Sequence, residues 1–168
     1  MGSVLVAPAG TELEAGVGYT TEIAIVNSGC GGNQPLNNWD VSNVTDMGGM
    51  FMYASSFNQP LNKWNVSKVK YMYDMFYDAR KQRVVTKYGE IRNWDVSNVT
   101  NMESMFDAAR SFNQPLNNWN VSKVTNMSEM FNSAKSFNQP LNNWDVSNVT
   151  NMDWMFSVAN YFTILFFF

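Results

Sequence analysis

The sequence predicts an α/β repeat fold: a leucine-rich-repeat-like solenoid of about five coils, with a parallel β-sheet on one face and short helices on the other. Three observations predict it. Tryptophan recurs at Trp39, Trp64, Trp94, Trp119 and Trp144, at intervals of 25, 30, 25 and 25 residues. Each tryptophan opens the same string, W-[DN]-V-S-[NK]-V. Inside each unit an L-x-x-W-x-V spacing gives way to an apolar period of three and four residues.

The first spacing is carried by Leu141, Trp144 and Val146. It matches the strand of a leucine-rich repeat, with tryptophan at the middle apolar position. The second runs through Val149, Met152, Met155, Phe156 and Ala159, which fall on one face of a helix. Thr150 stands where a helix N-cap belongs, and Thr100 with Glu103 forms a capping box. Lys70 occupies that place in the second unit and predicts a weaker start. Asn-Gln-Pro then breaks the chain before the next unit. A single unit cannot bury both of its flat faces, so the units are expected to stack, with equivalent Trp, Met, Phe and Leu residues in ladders. At helical spacing the methionines read as core filler rather than as a metal or cofactor site.

Domain organisation follows. Residues 33–162 form the repeat array, and residues 80–93 carry an irregular basic insertion. Residues 1–32 lie outside the repeat, as an amino-terminal cap or the remnant of a preceding region. There TTEIAIV reads as a strand and GCGG as a loop. Residues 163–168 are apolar, a carboxy-terminal cap or a boundary in a longer chain.

Composition narrows the function. The chain has 168 residues, 45% hydrophobic and 15% charged, with a net charge of −3. That composition supports a packed core and gives no electrostatic footprint for nucleic acid or a membrane. Histidine is absent, which excludes histidine triads, histidine bases and histidine metal ligands. Cys30 stands alone, so it forms no internal disulfide and no cysteine metal cluster. Carboxylate pairs suited to acid–base chemistry do not stand out from the repeat. No enzyme activity, metal, cofactor or membrane span is expected. YFTILFFF is far shorter than a spanning helix requires, although Phe166, Phe167 and Phe168 could mediate self-association.

The W-D-V-S-N-V-T-N-M-x-x-M-F units resemble the BspA-type leucine-rich-repeat surface proteins, in their mycoplasma-lipoprotein-like subgroup of 25-residue repeats. All five units carry the motif. The resemblance implies a solenoid, a cell-surface or secreted location often through a lipid anchor, and adhesion or partner binding. It implies no catalytic residues. The chain departs from that pattern in showing no clear export signal: IAIVNSGC only loosely resembles a lipoprotein cleavage site, and Glu12, Glu14 and Glu22 interrupt the apolar segment before it.

Two further features stand out. Asp40, Asn65, Asp95, Asn120 and Asp145 follow the tryptophans, and Asn43, Lys68, Asn98, Lys123 and Asn148 stand three residues later. Odd units are thus acidic and even units basic, an arrangement that keeps like charges off adjacent rungs. The same alternation suggests a two-coil unit of duplication. In addition, residues 63–92 hold eight of the eleven basic residues against three acidic ones, a net +5, while the rest of the chain carries −8.

The expected function is therefore a non-catalytic module that binds a protein or glycan partner. Its contact surface is the strand side, through Asn38, Asp40, Ser42, Asp95, Asn120 and Asp145. Arg80, Lys81, Arg83 and Lys87 of the insertion form a second candidate patch, or else a solvated loop. The alternative is a structural spacer or stalk without its own ligand. Six Asn-x-Ser/Thr sequons, at Asn43, Asn65, Asn98, Asn120, Asn126 and Asn148, are by-products of the repeat.

Overall fold

The computed structural model describes residues 36–54, 57, 59–79 and 91–159. The fold class is not the expected one. Among the described residues the only helical element is a single 3-10 turn, Ile91–Asn93, and no sheet forms. Parallel pairing is confined to isolated bridges, Asp46 with Tyr71, Tyr71 with Asn101, Asn101 with Asn126 and Asn126 with Asn151. The leucine-rich-repeat solenoid of sheet and helices is thus replaced by stacked coils built from turns.

Hydrogen bonds show why. In the L-x-x-W segment the tryptophan amide donates to the leucine carbonyl, as in Trp39 to Leu36 at 3.0 Å and Trp119 to Leu116 at 2.9 Å. V-S-x-V closes the same way, Val44 to Val41 and Val124 to Val121, each at 2.9 Å. A three-residue spacing that looked like a strand is a corner, with both of its ends turned inward.

The predicted helix is also a chain of turns. In the first coil Met50, Met52 and Ala54 donate back three residues, to Met47, Gly49 and Phe51. The amides between them leave the coil: Met47, Gly49, Phe51 and Tyr53 donate to Tyr71, Tyr73, Met75 and Tyr77 of the next, at 2.8–2.9 Å. An α-helix would send every amide back four residues instead. Two residues per coil make this alternation possible by taking positive φ: Gly49 and Tyr53, Asp74 and Asp78, Ser104 and Ala108, Glu129 and Ser133, Trp154 and Val158. Left-handed backbone is unfavourable for a non-glycine residue. Those in the first four coils each donate their amide to the following coil, and these bonds offset the strain.

The capping box is likewise corrected. The Thr100 hydroxyl donates to the Lys70 carbonyl, Thr125 to Thr100 and Thr150 to Thr125, at 3.0–3.2 Å. Each threonine ties its coil to the one before rather than starting a helix. Lys70 has no hydroxyl, and only its backbone amide reaches Thr45.

Equivalent apolar residues do lie in ladders. Phe51, Phe76, Phe106, Phe131 and Phe156 stack in sequence, with ring centroids 5.4–5.6 Å apart and planes within 7°. Phe57, Phe112 and Phe137 lie 4.0–4.4 Å from Phe51, Phe106 and Phe131 of their own coils. Each tryptophan from Trp64 on reaches back, its indole N–H donating to Leu36, Leu61, Ile91 or Leu116 at 2.8–3.2 Å. The methionine column through Met50 is buried in every coil, and the one through Met47 in all but the last, where Met152 is exposed.

Candidate functional site: the polar face of the coils

The residue after each tryptophan is held by a local turn. The Asp40 carboxylate accepts the Ser42 amide at 3.0 Å; Asn65, Asp95, Asn120 and Asp145 accept from Ser67, Ser97, Ser122 and Ser147 at 3.0–3.2 Å. This Asx turn needs only one oxygen, which is why Asp and Asn interchange here. The motif [DN]-V-S was its signal in the sequence. The Ser42 hydroxyl and amide, and then Lys68, hold Asp40 below the ordinary carboxylate range. Ser97, and then Lys123, do the same for Asp95, and Ser147 for Asp145.

Each aspartate is thus bonded to its own serine, and the lysines act on it only at longer range. Lys68 and Lys123 donate instead to Asn43 and Asn98 of the preceding coil, both at 2.7 Å. Asn98 and Asn148 reach back to the carbonyls of Ser67 and Ser122 at 2.8 and 2.7 Å. The alternation of Asn and Lys joins neighbouring coils through amide and ammonium hydrogen bonds.

The structure brings the expected contact residues onto one surface. Asn38, Asp40, Asp95, Asn120 and Asp145 are exposed, and Ser42 is half-buried beneath its Asx turn. Between the last two coils the surface dips into a shallow depression of about 310 Å³, lined by Asn117 to Val121, Asn143 and Asp145. Asn117, in this lining, accepts the Asn143 amide at 2.9 Å. Arg80, Lys81, Arg83 and Lys87 lie outside the described residues, as do Cys30 and Phe166 to Phe168. The insertion returns to register at Ile91, which is fully buried in the leucine position. Its amide donates to the Gln114 side chain at 3.1 Å.

Sequence reasoning missed an acidic group in the turn segments. Asp107 is buried, and desolvation, then Glu129, push its carboxyl up to about 6. Half-buried Asp74 is pushed up to about 6 by desolvation, then Glu103 and Glu129. Glu103 accepts from the Asn126 side chain at 2.9 Å. No group of three or more His, Cys, Asp or Glu among the described residues could hold a metal ion. None of the described helices is long and apolar enough to cross a membrane.

One family model, described as "Mycoplasma protein of unknown function, DUF285", matches residues 30–87 and again residues 81–165. No curated protein and no solved structure matches the chain.

Proposed function

The chain belongs to that mycoplasma repeat family, which is related to BspA-like surface proteins, and we propose that it is a non-catalytic module at the cell surface or secreted, binding a protein or glycan partner in adhesion. One observation supports this reading above the others. On the polar face the Asp or Asn after each tryptophan is fixed by its own serine, yet the residue stays exposed. One oxygen of each Asp or Asn is committed to a serine amide. Each of these side chains has a second polar atom, and all five residues are exposed at the same position of successive coils. Conserving both roles in one residue type is what a recognition surface on a rigid support requires.

The test is a panel of purified extracellular-matrix proteins and a glycan array, probed with the intact chain and with Asp40→Asn/Asp95→Asn/Asp145→Asn. Those substitutions keep every Asx-turn acceptor and remove three charges. Binding that falls while the melting temperature holds supports the proposal. Binding that persists unchanged moves the site off this face.

A second reading, the structural spacer, is favoured by the unbroken phenylalanine stack through all five coils. It predicts no binding to any member of the panel.

A further inference from the structure

We infer that the ligand of this face is an uncharged linear polysaccharide with a two-sugar repeat, lying along the column of coils; this rests on the binding reading above. The argument starts from the second atom of each Asx side chain. Oδ1 is taken by the serine amide, which also settles the amide orientation of the asparagines. What remains, beside the Ser42 hydroxyl bond to the Asp40 carboxylate, is acceptor capacity in Asp40 and Nδ2, a donor, in Asn65. Asp95, Asn120 and Asp145 continue the order as acceptor, donor and acceptor. All five residues are exposed.

The neighbouring column keeps the same period. Lys68 and Lys123 belong to the donor coils, and each ammonium uses one bond on an asparagine of the coil before. Its other N–H groups are left to the outside. In the Asx column even coils therefore present donors and odd coils present acceptors, and the lysines add further donors to the even coils. The chemical period of the surface is two coils, not one.

Spacing then selects the ligand class. Successive coils are joined by parallel bridges, about 4.8 Å apart in such pairing, and their phenylalanine rings stack at 5.4–5.6 Å. In an extended peptide the groups on one side recur about every 7 Å, which falls between one coil and two. In an extended β-1,4-linked hexose chain one ring answers to roughly one coil, and successive rings turn over. The same groups then face the protein at every second sugar. Hydroxyls opposite the aspartates would donate, and carbonyls of N-acetyl groups opposite Asn65, Lys68, Asn120 and Lys123 would accept. A polyanion would meet three aspartates and a polycation the lysines, so the pattern favours a neutral chain. The depression lined by Asn118, Asn120, Asn143 and Asp145 spans one acceptor coil and one donor coil, as a single disaccharide would need.

The experiment is isothermal titration of the full chain with a soluble chitin oligosaccharide long enough to cross all coils. Heparin and an extended hydrophilic peptide serve as comparisons. Asn65→Asp/Asn120→Asp keeps both Asx turns and converts both donors to acceptors. It should weaken chitin-oligosaccharide binding at least roughly tenfold, as expected for two lost hydrogen bonds. Aspartates on adjacent coils will lower the melting temperature, so the titration is run well below the melt, where circular dichroism shows the variant folded. Wild-type binding unaffected by this variant overturns the inference. Preference for heparin or the peptide, abolished by the face variants, overturns it too but leaves the binding module standing. No binding to any probe in this titration or in the wider panel removes both.

Discussion

The indole rings of Trp64 and Trp94 stack with their centroids 6.5 Å apart and their planes within 6°, although thirty residues separate them. Phe76 and Phe106, on either side of the same irregular interval, stack at 5.6 Å, against 5.4–5.6 Å for the other pairs. The five extra residues therefore leave the tryptophan and Phe76–Phe106 stacks on either side of them undisturbed. Deleting five residues between Arg80 and Glu90 should change stability by less than about 0.6 kcal/mol, since loop-closure entropy varies slowly with length. A chemical-denaturation curve checks this. A loss of several kcal/mol would mean that the insertion is itself part of the packing.

The indoles fill the core and also cross-link it. Trp119 donates to the Ile91 carbonyl at 3.2 Å, and that carbonyl also accepts the Trp94 amide at 2.9 Å. Trp119→Phe should cost about 1–2 kcal/mol, from one hydrogen bond and a smaller ring. Trp119→Ala should cost roughly 3–5 kcal/mol. Equal losses for the two variants in urea melts would remove the indole N–H from the account.

The left-handed residues give a paired test. Ala108 has φ 53° and its neighbour Ala109 is not among the positive-φ residues. Ala108→Gly should stabilise by about 1 kcal/mol, because glycine carries no penalty there. Ala109→Gly should destabilise by about 1 kcal/mol. Thermal melts of the two variants should move in opposite directions; a shared direction would refute the turn geometry.

Acidity should stabilise the turn segments. Asp74 and Asp107 titrate at about 6 in the fold against an ordinary 3.8. The folded state therefore binds protons that the unfolded chain does not. Their contribution is complete below about pH 4 and is lost as pH rises through about 6. The melting temperature should fall between those values, and Asp107→Asn should flatten the fall. The groups facing them, Glu103, Glu129 and Asn132, are unchanged in that variant. A melting temperature that rises over this window would overturn the assignment.

Much of the site was legible in the string [DN]-V-S, because an Asx turn is a local interaction between residues two apart. Asp40 and its equivalents could be placed on an exposed face from their position beside a buried tryptophan. Their bonding partners could not. Opposite charges on adjacent coils suggested Asp with Lys, whereas Lys68 and Lys123 bond asparagines and each aspartate bonds its own serine. A choice among several partners within reach depends on side-chain geometry that spacing does not encode. Asp107 was invisible for a related reason: its burial arises from the stacking of neighbouring coils.

The sequence alone determined the number of units, the irregular interval and which residues point inward, because a repeat of Trp, Met and Phe is a property of chain order. It could not determine what the backbone does between those residues. Met47, Met50, Phe51 and Ala54 meet on one side whether the segment is a helix or a run of hydrogen-bonded turns. The difference lies in where every second amide goes, and its acceptor belongs to another coil. Only the stacked structure supplies that carbonyl, and with it the left-handed residues that replaced the predicted helices.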